Sequence, residues 1–407
     1  VTADRSSHPE LEIDVDWMVD VLLHLLRTPS PSGRTDAVMQ LIGDIVDDLG
    51  LPFELTRRGA LVAQLPGESE SVDRSLVVHA DTIGAMVRAL EPHGRLSIIP
   101  IGTFSARFAE GARVTIFLED PDRTISGTVL PRKASGHAFG DEVDTQGVGW
   151  DHIEVRVDER VHDADGLRAL GIEVGDFVAL DAVPEVTSSG FVVSRHLDGK
   201  AGVAAALAVA RAVVERGDPL PHRASLLVTI AEEVGHGASH GLGDDVAEMV
   251  SVDNAVCAPG QHSIEHGVTI PMADMTGPFD YHLTRRLTRL CRELGIDHAR
   301  DTFPWYRSDV AAAIEAGAGT RAALVAFGLD GSHGWERTEV ASLAAVARLL
   351  GAWLQTPLTF ERWDATPLGD LRDFPSSRQP APEESWRRIR PGSDGSARPD
   401  ETDTVRP

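Results

Sequence analysis

Ser225-Leu226-Leu227-Val228-Thr229-Ile230 runs straight into Ala231-Glu232-Glu233. A short apolar run of strand length, stopped abruptly by charge, reads as a buried strand of an α/β sheet. Two adjacent carboxylates at the mouth of such a strand repel each other and need a counter-charge. Leu76-Val77-Val78 has the same form and delivers His79-Ala80-Asp81 at its carboxyl end. In an open α/β sheet, sites form outside the carboxyl ends of the strands, so both segments can reach one crevice.

The flanking sequence agrees. Asp16 to Leu26 carries Val19, Leu22, Leu23 and Leu26 at helical spacing and stops before the breaker cluster Thr28-Pro29-Ser30-Pro31-Ser32-Gly33. Thr35 to Leu49 repeats the helical pattern and ends at Gly50. A short β-type segment covers Leu61 to Gln64, and another Phe191 to Val193. A helix is expected over Gly199 to Arg216, a strand end near Asp253, a helix over Tyr281 to Leu294, a strand over Ala322 to Phe327 and a closing helix over Val340 to Leu354.

Between Arg88 and Val186 the texture changes. Arg113 to Phe117, Thr124 to Leu130, His152 to Val157 and Asp176 to Leu180 alternate and are parted by Gly, Pro and Asp turns, as in a small all-β unit. The expected organisation is a discontinuous α/β domain over 1–87 and 187–357, a β-domain inserted at 88–186, and a disordered tail over 358–407 rich in Pro, Ser, Arg and Asp.

The chain has 407 residues, enough for more than one core, and a formal charge of -25. That charge excludes a nucleic-acid partner, which needs a basic footprint. The best membrane candidate, Ala201 to Val209, stops at Arg211 and is too short to span a bilayer. The polar, acidic opening Val1 to Glu12 does not read as a secretory signal, and Cys257 and Cys291 make no disulfide framework, so a cytoplasmic protein is expected. Any metal must be held by His, Asp and Glu.

Chemistry-bearing side chains fall at strand ends or in adjacent loops: His79 with Asp81, Asp198, Glu232 with Glu233, Asp253 and His333. Taken singly, most have ordinary readings. His79-Ala80-Asp81 reads as a turn with a capping Asp, Asp198 as a helix N-cap and His333 as a loop histidine. Together, two imidazoles and several carboxylates suit borderline divalent ions such as zinc, cobalt or manganese. Two histidine pairs are set aside. His262-Ser263-Ile264-Glu265-His266 has the spacing of an inverted zinc-peptidase helix but lies between Pro259-Gly260 and Gly267, and His236 and His240 lie among glycines.

The order and wording of these segments resemble the M42 family of metallo-aminopeptidases, which includes the tetrahedral TET peptidases, over roughly residues 15 to 355. Val78 to Gly84 resembles the family's His-x-Asp-x-x-Gly segment, and Leu197 to Gly202 its Leu-Asp-Asp-Arg-x-Gly. Glu232 to Gly235 matches its Glu-Glu-Val-Gly, Val252-Asp253 its next metal-binding Asp, Ser308-Asp309 its Thr-Asp pair, and Ser332 to Glu336 its closing His segment. Gly199 and Lys200 depart from it, standing where the family has Asp and Arg. There is also a resemblance to the subgroup associated with the osmolyte N-acetylglutaminylglutamine amide.

The resemblance implies a mixed-sheet zinc-peptidase fold (phosphorylase/hydrolase-like) with a small inserted all-β domain. It implies hydrolysis of the N-terminal residue of short peptides by two divalent ions per subunit. His79, Asp198, Glu233, Asp253 and His333 would be ligands, with Asp198 bridging, Glu233 and His333 on one ion, and His79 and Asp253 on the other. Glu232 would be the general base and Asp81 would orient His79, while Ser308 and Asp309 would be candidates for substrate contact. Homo-oligomers from dimer to dodecamer, assembled through the inserted domain, are implied as well. Other readings of the same ligands are a two-metal deacylase or amidase acting on an acylated amino acid or dipeptide, and a non-catalytic metal-binding scaffold.

Overall fold

The computed structural model describes residues 10–360; the expected tail lies outside the described residues from 361 onward. Helices α1 (Val15–Arg27) and α2 (Asp36–Asp48) open the fold, and the Asp14 side chain caps α1 by accepting from the Trp17 backbone N–H. Strands β1 (Phe53–Leu55), β2 (Leu61–Leu65) and β3 (Val72–His79) follow. The chain then leaves to build β4 (Gly84–Leu90), β5 (Leu96–Ile101), β6 (Arg113–Phe117), β7 (Thr124–Pro131), β8 (Ile153–Val157) and β9 (Phe177–Leu180). Three short α-helices lie within this stretch: α3 (Gly136–Phe139), α4 (Glu142–Thr145) and α5 (Ala164–Ala169).

After β10 (Glu185–Val186) and β11 (Phe191–Ser194) come helix α6 (Leu197–Arg216), β12 (Arg223–Thr229), β13 (Glu248–Val256), β14 (Val268–Asp274) and β15 (Gly277–Pro278). Helix α7 (Tyr281–Leu294), β16 (His298–Thr302), α8 (Asp309–Glu315), β17 (Arg321–Leu329), β18 (Glu336–Glu339) and α9 (Val340–Leu354) complete the described chain.

The main sheet has the order β1-β2-β12-β3-β13-β17-β14-β15, with β16 beside β14. Its centre, β12-β3-β13-β17, is parallel, while β1, β2 and β15 are joined antiparallel and β14 runs antiparallel to β17. These four central strands are nearly continuous buried runs, as a parallel sheet covered on both faces requires. Helix α6 packs on β3, β12 and β13 between α1 and α9. Its alanine- and valine-rich sequence is buried around most of its circumference, so it lacks the polar stripe of a surface helix.

Strands β4 to β9 close into a barrel of order β4-β5-β8-β7-β6-β9 with a core of its own, including Val87, Ile98, Val114, Ile116, Val129, Val155 and Val178. The fold is thus a mixed-sheet α/β structure carrying a small antiparallel barrel. Strand β13 does not end near Asp253 but runs on to Val256, because β17 pairs with it as far as Val256↔Leu329. Its other neighbour, β3, stops at His79, and so Asp253 borders the place where the sheet opens. Among the described residues, no helix is long and apolar enough to cross a membrane, and both cysteines are free.

Candidate metal centre

Four adjacent parallel strands deliver their carboxyl ends to one edge of the sheet. β3 ends on His79, β12 leads into Glu232 and Glu233, β13 carries Asp253, and β17 leads to His333. Register aligns Thr229 with His79, which brings the two segments to the same level. Asp198 enters from the start of α6, at a kink where Asp198 (φ -55, ψ 117) and Gly199 (φ 65, ψ -44) leave helical geometry. A Cβ on Gly199 would stand 2.4 Å from the His79 ring, so glycine is needed there for both its backbone angle and the close approach.

The five expected ligands and Glu232 come together in this crevice. His79 Nε2 lies 3.2 Å from Asp198 Oδ1, 3.9 Å from Asp253 Oδ1 and 4.0 Å from Glu232 Oε2. His333 Nε2 lies 3.3 Å from Asp198 Oδ2 and 3.4 Å from Glu233 Oε2. The two oxygens of Asp198 therefore face different imidazoles. His79, Asp198 and Glu233 offer ligand atoms within 4.8 Å of one another, as do His79, Glu232 and Asp253.

The donor set fits divalent ions. His333 donates Nδ1–H to the Thr103 carbonyl at 3.0 Å, and His79 Nδ1 stands 3.2 Å from the Asp81 carbonyl. A carbonyl only accepts, which fixes each ring with Nε2 toward the carboxylates. His79 Nε2 is buried and has no aligned hydrogen-bond partner. Burial raises the pKa of Glu233 and Asp253, and raises that of Glu232 well above the ordinary carboxylate range. Burial opposes charge on His333 as well, yet Glu233 and Asp198 push its pKa up to about 12. Burial likewise opposes charge on His79, but Asp198, Asp253 and Asp81 raise its pKa well above the ordinary value.

Asp81 sits 3.6 Å from His79 Nδ1 and makes closer contacts elsewhere. It accepts from the Ser32 hydroxyl at 2.5 Å and from the backbone N–H groups of Glu232 at 3.1 Å and Glu233 at 3.3 Å. The carboxylate thus holds the Glu232–Glu233 turn as well as facing the histidine. Asp309 accepts from Thr229 Oγ1 at 2.6 Å and from the Ala238 N–H at 2.7 Å, with burial pushing its pKa up to about 6. Both of its oxygens brace the chain. Ser308 Oγ is buried and has no hydrogen-bond partner.

Several contributors carry no sequence motif. Asn254 Nδ2 donates to Asp198 Oδ2 at 2.7 Å and to Asp253 Oδ1 at 3.2 Å. The Ile83 N–H holds Glu233 Oε1 at 3.2 Å. From the barrel, the Thr103 carbonyl orients His333, and the Leu180 carbonyl accepts from His196 Nε2 at 2.8 Å. Adjacency to Asp253 and Asp81 was the only sequence signal for Asn254 and Ile83. Lys200 points away from the cluster. Its ammonium donates to the Leu25 and Thr28 carbonyls at 2.9 and 2.6 Å, tying the end of α1 to α6, and burial lowers its pKa to about 7. His262 and His266 lie in the β13–β14 loop, where His266 pairs with Glu339 at 2.6 Å.

The sequence profile of M42 glutamyl aminopeptidase matches residues 59–349. YhfE of Bacillus subtilis (strain 168), provisionally named an aminopeptidase, is 35% identical over 340 residues, covering 84% of this chain and 98% of its own. The lysyl aminopeptidase of Pyrococcus furiosus is 27% identical over 145 residues, 35% of this chain and 40% of its own. Aminopeptidase APDkam598 from Desulfurococcus kamchatkensis shares the fold at a TM-score of 0.77 and 20% identity, covering 88% of this chain and 99% of its own. Pyrococcus horikoshii TET1 peptidase, described as assembling into a tetrahedron or a large octahedral shell, does so at 0.73 and 19%, covering 83% and 99%. The profile spans the strand ends that converge on the crevice, and the sequence match to YhfE runs nearly the whole length of that protein: the chain is a peptidase of the M42 aminopeptidase family.

Proposed function

We propose that the crevice binds two divalent ions, zinc or cobalt with manganese as a third choice, and hydrolyses the N-terminal residue of short peptides. The observation that carries this is the placement of Asp198, whose two oxygens face His79 on one side and His333 on the other. One carboxylate so placed serves two ligand groups: Asp198 with Glu233 and His333, and Asp198 with His79 and Asp253. Bound ions would lower the pKa of a water they hold and polarise the substrate carbonyl.

The chain's own residues do the rest. Glu232 Oε2 takes the proton of the attacking water and passes it to the leaving amine, the work of a positioned carboxylate beside that water. Asp81 holds the backbone of Glu232 and Glu233, so base and ligand keep their relative position. Asn254 fixes the Asp198 and Asp253 carboxylates by donating to both.

The test is a panel of aminoacyl amides, short peptides and their N-acetylated counterparts, including acetylated dipeptide amides of the osmolyte class. Each is assayed after chelation and again with zinc, cobalt or manganese restored. Turnover confined to free amino ends supports the aminopeptidase. Turnover of the acylated members alone replaces it with the deacylase reading, and metal binding without turnover of either leaves the scaffold.

Assembly through residues 88–186 into a homo-oligomer, from dimer to dodecamer, belongs to the same proposal, as does a cytoplasmic location. It is supported by the shells described for the Pyrococcus horikoshii relative and by apolar side chains that this stretch leaves exposed, Ile99, Phe139, Val148 and Val174.

A further inference from the structure

Glu336 is 1% exposed and lies within the crevice that already holds Asp198, Glu232, Glu233 and Asp253. Burying one more carboxylate among like charges is costly unless each oxygen is satisfied. Both are. Glu336 Oε2 accepts from the Asp198 backbone N–H at 3.1 Å, and Oε1 from the His333 backbone N–H at 2.8 Å.

Those two backbones need holding. Asp198 stands at the break in α6, and His333 has φ 63, a left-handed conformation that a residue with a side chain rarely adopts. Glu336 itself is held by its strand, since β18 pairs with β11 in a register that sets Glu336 opposite Ser194. Arg195, the next residue, is 3% exposed, with its guanidinium over the Trp335 ring and Nη1 buried without a hydrogen-bond partner.

Resting on the two-metal reading above, we propose that Glu336 is a positioning residue for the metal centre. One side chain spans the backbones of Asp198 and His333 and sets the spacing of the ligands they carry. Two N–H donors call for two acceptors. Glutamine has the same length but offers one acceptor, and turns an NH₂ toward the other N–H. Aspartate keeps both acceptors but falls one methylene short of spanning them.

The experiment uses full-length protein stripped by chelation and titrated with Co²⁺, followed by visible d–d absorption and by calorimetry. The variants are Glu336→Gln and Glu336→Asp, with Glu248→Gln as a control for burial alone. Glu248 is as buried as Glu336 but lies at the opposite end of β13 from Asp253, paired with Arg74. The expected result is a loss of about 10- to 100-fold in affinity for one ion in Glu336→Gln, the usual effect of removing support behind ligands. Saturating metal should restore turnover, and Glu248→Gln should lose melting temperature without losing metal affinity.

Glu336→Asp should fall between wild type and glutamine, and it carries the test by itself if Glu336→Gln does not fold. Variants that bind both ions as tightly as a metal-binding wild type overturn the clamp alone. A wild-type chain that binds no divalent ion overturns the two-metal reading and the clamp with it.

Discussion

In an extended strand successive side chains leave on opposite faces, so Glu232 and Glu233 could not both serve one site if β12 continued through them. The chain solves this by ending the strand at Thr229 and turning. The Gly235 N–H bonds to the Glu232 carbonyl at 2.7 Å and the His236 N–H to the Ala231 carbonyl at 2.8 Å, with Gly235 at φ 79. The turn carries Glu233 toward His333 and Glu232 toward His79 and Asp253. Glu232→Gln keeps the shape and removes the base. It should leave metal content near normal and cut turnover by roughly 10²–10⁴-fold, the contribution of a positioned acid–base group. Glu233→Gln should instead weaken one ion and be partly rescued by excess metal. Metal stoichiometry beside turnover decides between them, and the reverse pattern would exchange the two roles.

At the scale of elements, the parallel quartet has one end for chemistry and one for stability. Opposite the crevice, Arg74 on β3 and Glu248 on β13 are fully buried, face each other across the ladder and pair at 3.0 Å. Arg74 also donates to the Trp353 and Thr356 carbonyls at 2.8 and 2.7 Å, which fastens the end of α9 to the sheet. Arg74→Met leaves Glu248 buried without its counter-ion and should cost about 3–5 kcal/mol. Metal binding should be unchanged in the folded fraction. Burial would raise the Glu248 pKa, but Arg74, the Thr359 hydrogen bonds and Arg286 together outweigh it and hold the value below its ordinary position. Its contribution to stability is therefore complete above the unfolded pKa of about 4.3 and is lost as pH falls through the lower folded value. In Arg74→Met the folded pKa should rise, moving the onset of acid destabilisation to higher pH. Urea midpoints across an acid pH series for both proteins check this.

At the scale of the molecule, the barrel and the sheet domain share the site, because the Thr103 carbonyl of the barrel orients His333. A barrel that also carries subunit contacts would link assembly to the state of the metal centre. Ile99→Glu and Val174→Glu place charge on apolar positions that are 40% and 64% exposed, so the isolated fold should tolerate them. If residues 88–186 carry the contacts, light scattering should show a smaller particle than wild type. A wild-type protein that is already a stable, active monomer removes assembly and leaves the chemistry intact. Prolonged chelation should abolish activity and re-addition restore it; full activity with one ion per chain would count against the two-ion arrangement.

Local chemistry made much of this readable from the chain alone. Runs at Leu76–Val78 and Ser225–Ile230 imply buried strands because they are mostly apolar and carry no charge, and helical spacing placed Tyr281–Leu294 and Val340–Leu354 where α7 and α9 lie. The abrupt switch from apolar to titratable side chains marked His79, Glu232 and Glu233 as the mouths of strands. Tertiary structure decided what depends on partners distant in sequence. β13 extends past Asp253 because β17 pairs with it, and the ends of four strands converge because the sheet order is β12-β3-β13-β17. Lys200, standing where the family has Arg, proved to cap α1 across the core. Asn254, Thr103 and Glu336 act through a single amide, a backbone carbonyl and a carboxylate spanning two N–H groups. Such contacts leave no periodicity or composition in the sequence, because they are set by where the backbone runs.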